Sequence, residues 1–202
     1  MAKFFYSVSW LLLHLSTLFG YASAAALGQI QPLDNMKDIR ITPGPGLPSL
    51  ESLGLTVEML AEEAFSDKQA GGNSTAALQK RFTDHCGTKP MDGWADTPAG
   101  LAGLCIAYVA RLGSSSCAIT GETTYCVTTS GHWFAAVRGI PLAGPTQSAC
   151  RDVARGAQWI ADNCAYEQLT GGQQNNRIRR ESQAAAWGNG NLIVEITGYN
   201  GP

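Results

Sequence analysis

No cysteine stands before position 86, and the chain contains no Cys-x-x-Cys pair and no Cys/His cluster. Zinc sites need such ligand spacings, so a structural zinc module is not expected. Charge is scarce at 15% and nearly balanced, with a formal net charge of −2. That leaves no basic footprint for nucleic acid. A Gly-x-Ser-x-Gly elbow is also missing, so a serine hydrolase lacks its usual signature. Beyond residue 26 no run is apolar enough to cross a bilayer, which takes about 20 residues.

What is present begins with a leader. Lys3 precedes the apolar stretch WLLLHLSTLF (10–19), and Ala22-Ser23-Ala24 offers a small-residue cleavage site. This pattern predicts a secretory signal peptide over 1–24, too short in its apolar core for a membrane anchor. The product is expected outside the cell. Six cysteines follow, at 86, 105, 117, 126, 150 and 164. An even number in an oxidising compartment predicts three disulfides.

Residues 25–81 read differently from the rest. ITPGPGLPSL (41–50) is rich in proline and glycine, and LTVEMLAEEAF (55–65) has the spacing of a short amphipathic helix. The polar stretch that follows carries the sequon Asn73-Ser74-Thr75, which predicts an exposed glycan on Asn73. With few large apolar side chains, the segment is expected to be a flexible prosegment. It ends at the paired Lys80-Arg81, at the border of the cysteine-bearing region. We expect cleavage there to release residues 82–202; the competing reading is a charged surface turn.

Over 82–202 the pattern is mixed. DTPAGLAGLCIAYVARLG (96–113) predicts a helix, with Pro98 at its start and Leu101, Leu104, Cys105, Tyr108, Val109 and Leu112 on one face. TQSACRDVARGAQWIADNC (146–164) predicts a second, striped by Cys150, Val153, Ala157, Ile160 and Cys164. Strands are expected at 116–120, 123–129, 132–138 and 191–199. Gly121-Glu122 suits a two-residue hairpin turn between the first two. In that register Cys117 faces Cys126 and predicts a disulfide. Cys150 and Cys164 lie about 21 Å apart on one helix and cannot bridge. If Cys117 pairs with Cys126, Cys86 and Cys105 must each take one of them. The fold class expected is α+β: a small disulfide-stabilised sandwich of an antiparallel sheet with two helices packed on it.

Several stretches carry a resemblance. DHCG followed by DTPAGLAGLC resembles the start of fungal necrosis-inducing extracellular effectors. GETTYCVTTSGHWFAAVRG (121–139), GPTQSACRDVARGAQWIADNC (144–164) and NGNLIVEITGY (189–199) are similar to the smut-virus killer toxins and their fungal homologues. This chain has Trp133-Phe134 where the toxin pattern has a cysteine, and Cys164-Ala165-Tyr166 where it has Cys-Gly. The resemblance implies a compact secreted fungal protein that acts on another organism, matured by paired-basic cleavage at Lys80-Arg81.

The residues themselves offer little chemistry. His85 and His132, with Glu122 and Arg138, are the groups a ribonuclease-like hydrolase would need to bring together. GGQQNNRIRRES (171–182) is read as an exposed loop, its Arg177, Arg179 and Arg180 available to an acidic patch. Trp94 and Trp187, beside Asp and Gly, are candidate partner contacts. Residues 82–202 hold eight Lys/Arg against nine Asp/Glu, so nonspecific anion binding is not expected. The expectation is a secreted monomer without cofactor. It binds an unknown host or competitor target, whether protein, membrane or glycan, without covalent chemistry. A hydrolase or an inert cell-wall protein are the alternatives.

Overall fold

The computed structural model describes residues 36–65, 82–87, 97–170, 173–179 and 181–200. Five antiparallel strands form the central sheet, in the order β1 (Ile39–Pro43), β4 (Thr123–Ser130), β5 (Trp133–Pro141), β10 (Asn189–Asn200) and β9 (Ser182–Ala186). Side chains of a strand alternate between the two faces. Cys126 and Thr128 of β4, Ala135 and Val137 of β5, and Leu192, Val194 and Ile196 of β10 thus share one face, and all are buried. Helices α2 (Ala99–Arg111) and α3 (Cys150–Cys164) pack on that face.

The α3 stripe read from the sequence is the buried one: Cys150, Val153, Ala157 and Ile160 are 0% exposed. Gly156 lets this helix approach closely, because a Cβ there would sit 2.8 Å from the Ala185 carbonyl of β9. The other helix differs from its one-sided prediction. Ten of its thirteen residues are buried, from Ala99 through Val109. AGLAGLCIAYVA carries no charge, so α2 has no face suited to water. The sheet takes one side of it, α3 another, and α1 (Val57–Phe65) a third.

That last contact revises the reading of 25–81 as a flexible prosegment. Over 36–65 the chain is packed onto the domain. β1 pairs with β4 from Ile39 opposite Ser130 to Pro43 opposite Cys126. Leu60 of α1 is fully buried, and Ile41, Leu47, Leu50, Leu55, Val57 and Phe65 pack against the core. The segment holds too few apolar side chains for a core of its own, but it borrows one. Along α1 Leu60 and Ala61 are buried, whereas Met59 is 43% exposed.

The hairpin expected at Gly121-Glu122 does not form. Both edges of β4 are taken, by β1 and β5, and β3 (Ser116–Ile119) pairs instead with β6 (Thr146–Ala149). Register there sets Cys117 opposite Ser148, two residues before Cys150. The predicted Cys117–Cys126 bridge is therefore replaced by Cys117–Cys150, with Cα atoms 5.0 Å apart. Cys126 on the inner face of β4 bridges Cys105 of α2, Cα to Cα 5.6 Å. Cys86 takes Cys164, one of the two partners left open to it, at 5.2 Å.

Within 171–182, expected as an exposed loop, Gln173–Ile178 form a strand. β7 (Ala165–Thr170) and β8 (Gln173–Ile178) form a hairpin, and β2 (Thr97–Pro98) adds to the β8 edge. Thr97 is therefore a strand residue, and α2 begins after Pro98 with no side-chain cap. The polar run QQNNRI lacks the apolar alternation that marks a strand in sequence.

An unreduced digest should contain Cys86–Cys164, Cys105–Cys126 and Cys117–Cys150 peptides and no Cys117–Cys126 peptide. The Cys105–Cys126 bridge spans 21 residues. Replacing both cysteines by alanine should cost about 3 kcal/mol by chain entropy, read from urea denaturation.

Candidate functional site

The sheet face turned away from α2 and α3 is where polar chemistry collects. Register places Thr124 of β4 opposite Arg138 of β5, Arg138 opposite Glu195 of β10, and Glu195 opposite Gln183 of β9. An isolated bridge continues the row to His85, whose backbone exchanges two hydrogen bonds of 2.9 Å with Gln183. Five side chains from five chain segments thus form one line across the sheet.

Glu195 is the anchor. It is 6% exposed, and a carboxylate at that depth needs compensation. Arg138 Nη1 donates to its Oε1 at 3.2 Å, and Gln183 Nε2 donates to its Oε2 at 2.7 Å. Arg138 also pairs through Nη2 with Glu122, half exposed at the end of the β3–β4 connection. The guanidinium is therefore held from two sides and cannot swing freely. Glu122, Arg138, Ile140, Glu181, Glu195, Thr197 and Gly198 line an open depression of about 460 Å³. Glu181 enters it from a residue with φ 61°, a left-handed conformation rare outside glycine. The arrangement suits recognition of a polar group by a fixed set of donors and acceptors.

Of the residues singled out from sequence, Glu122 and Arg138 do meet. The two histidines do not join them. His132 sits exposed in the β4–β5 turn, six positions along β5 from Arg138, roughly 20 Å away. His85 lies three strand spacings across from Arg138, about 14 Å. A two-histidine ribonuclease centre is therefore not assembled. Among the described residues no group of three or more His, Cys, Asp or Glu is placed to hold a metal.

The partner-contact candidates also disperse. Arg177 is not in an exposed loop: it is 8% exposed in β8, its guanidinium 4.1 Å over the Trp133 ring. That cation–π stack makes it a packing element. Arg179 is half-buried, and its backbone N–H donates to the Cys164 carbonyl at 3.2 Å. Among the described candidates only Trp187 is exposed, at 37%, in the β9–β10 turn beneath Arg155. Trp94, Arg180, Asn73, Lys80 and Arg81 lie outside the described residues.

Glu195 and Gln183 escaped the sequence reading. One signal was available: Glu195 is the single charge inside NLIVEITGY, between Val194 and Ile196 that face the core. A charge in the middle of an apolar strand needs a partner across the sheet. Gln183 carried no comparable signal.

Arg138→Met should destabilise the fold by roughly 2–4 kcal/mol, because it leaves Glu195 buried without its counter-charge. Glu122→Gln, at the solvent side of the same guanidinium, should cost less than about 1 kcal/mol. Chemical denaturation of the two variants compares them; equal costs would show that Glu195 does not depend on Arg138.

With this geometry in view, comparison with known proteins adds one finding. A family model described as a domain of unknown function (DUF8794) matches residues 81–198, and the chain belongs to that family. No curated protein and no solved structure matches it.

Proposed function

We propose that this DUF8794 protein is a secreted effector or killer-toxin-like protein, matured by cleavage after Lys80-Arg81. It binds a host or competitor target through the polar face of its central sheet, without covalent chemistry. The observation that carries this reading is the Thr124–Arg138–Glu195–Gln183 row. It is a rigid donor and acceptor array on a scaffold whose six cysteines are all bridged. Binding energy is conserved when the binding groups are ordered beforehand. Three disulfides suit an oxidising compartment, and among the described residues no helix is long and apolar enough to cross a membrane. The family match begins at Arg81, the second residue of the dibasic pair, which supports 82–202 as the working unit.

Two experiments test the reading. N-terminal sequencing of protein recovered from culture medium should find a chain beginning at Phe82. If the only chain begins near Ala25, the pair is a surface turn and the maturation step is wrong. Purified protein should also damage plant tissue or inhibit a competing fungus. Glu122→Ala with Gln183→Ala should lower that potency at least 10-fold at matched stability, whereas His132→Ala, in the β4–β5 turn away from the row, should leave it unchanged. Full potency in the Glu122/Gln183 variant would remove the row from the binding surface. Loss in the His132 variant would favour a hydrolase.

A further inference from the structure

The segment that precedes the family domain is built into its structure, yet no disulfide holds it, since the first cysteine is Cys86. Its contacts come in two kinds. β1 completes the central sheet along β4 over five residues, and Gly44 N–H extends the ladder by donating to the Tyr125 carbonyl at 2.8 Å. That approach is possible only without a side chain: a Cβ on Gly44 would lie 1.9 Å from the Thr124 carbonyl oxygen. α1 covers the remaining side of α2. Ala64 packs where Gly103 leaves room, with 3.4 Å from its Cβ to a Cβ built there. Tyr108 donates to the Pro48 carbonyl at 2.7 Å, and Arg111 pairs with Glu63 at 2.6 Å. Burial pushes the Tyr108 phenol up to about 12, so it remains a donor at any physiological pH.

The domain by itself would therefore expose two surfaces that proteins avoid exposing. β4 would become an unpaired edge strand, a template for adventitious pairing. A strip of a helix with no polar face would meet water. Both surfaces have one occupant that fits them in length and sequence, residues 36–65 of this chain.

We propose that the groove formed by the β4 edge and the outer side of α2 is a strand-and-helix binding site whose resident partner is 36–65. Hydrolysis of the Arg81–Phe82 bond leaves that segment bound, so the mature protein is a noncovalent two-chain assembly. Water supplies the Arg81 carboxylate and the Phe82 amine; nothing in the groove changes. This rests on the maturation step above for its setting in the cell. It does not need that step for its physics, because the strand ladder and the side-chain hydrogen bonds described above are made between 36–65 and 97–130.

The test uses the full chain, with Leu78–Arg81 replaced by a site-specific protease sequence, so it is independent of natural processing. After cutting, the two pieces should co-elute in size-exclusion chromatography at micromolar concentration and separate only in denaturant. Leu60→Asp, in the same cut protein, should weaken retention at least 10-fold, because it puts a charge at a fully buried apolar position. A Met59→Asp control, half exposed on the same helix, should not. Clean separation of the unmutated pieces while the domain stays folded by circular dichroism would overturn the proposal. So would equal retention of the Leu60→Asp segment. If the domain aggregates as the segment leaves, adding synthetic 36–65 at the time of cutting should keep it in solution; failure to do so also counts against the site. Sequencing of the secreted protein separates the two ideas: one N-terminus near Ala25 rejects maturation, and two termini in equal amount support both.

Discussion

A helix without a polar face has to be enclosed on every side, and that requirement shapes this protein. α2 runs AGLAGLCIAYVAR and buries ten of its residues. The inner face of the sheet, α3 and α1 each cover part of it. Cys105, 0% exposed at its centre, is bridged to Cys126 of β4, which fixes helix to sheet. The buried Thr128 hydroxyl, 3.1 Å from Cys105 Sγ, shares that contact. Burial of this helix joins the sheet, α3 and α1 in one core.

The disulfides follow the same logic. Each connects elements that are distant in sequence and adjacent around the helices: Cys86 to the end of α3, Cys117 in β3 to its start, and Cys105 in α2 to β4. In the chain-entropy account, loops of 21 to 78 residues contribute roughly 3 to 4.5 kcal/mol each. A domain of this size with long polar hairpins such as β7–β8 gains from such staples. With the helix side so fixed, the far face of the sheet is free to hold a polar row in register, and one buried carboxylate, Glu195, organises it.

Covering α2 also explains why a segment outside the family domain is part of the fold. The surface that α1 and β1 occupy is apolar and edge-like, and the proposed two-chain state is the consequence of leaving it covered after cleavage. The sheet row and the groove are separate surfaces of one scaffold, one suited to a target and one to the chain's own segment.

Elements with local signals were legible before any tertiary contact was known. The α3 stripe, the alternation of Leu192, Val194 and Ile196, the short helix near 57–65 and the pairing requirement of six cysteines all follow from periodicity and counting. Helix geometry alone forbade Cys150–Cys164. What the sequence left undecided was non-local. A two-residue turn signal at Gly121-Glu122 was outweighed because β1 and β5 both claimed β4, and so Cys117 found Cys150. β7 and β8 were hidden because polar strands stabilised by backbone pairing show no apolar period. The site was half legible: Glu122 and Arg138 were named, but Gln183 and Glu195 joined them only through register across three strands. Arg177 read as surface charge and was placed inside by stacking on Trp133. Local patterns report what a residue prefers, and only tertiary structure decides which preferences can be met together.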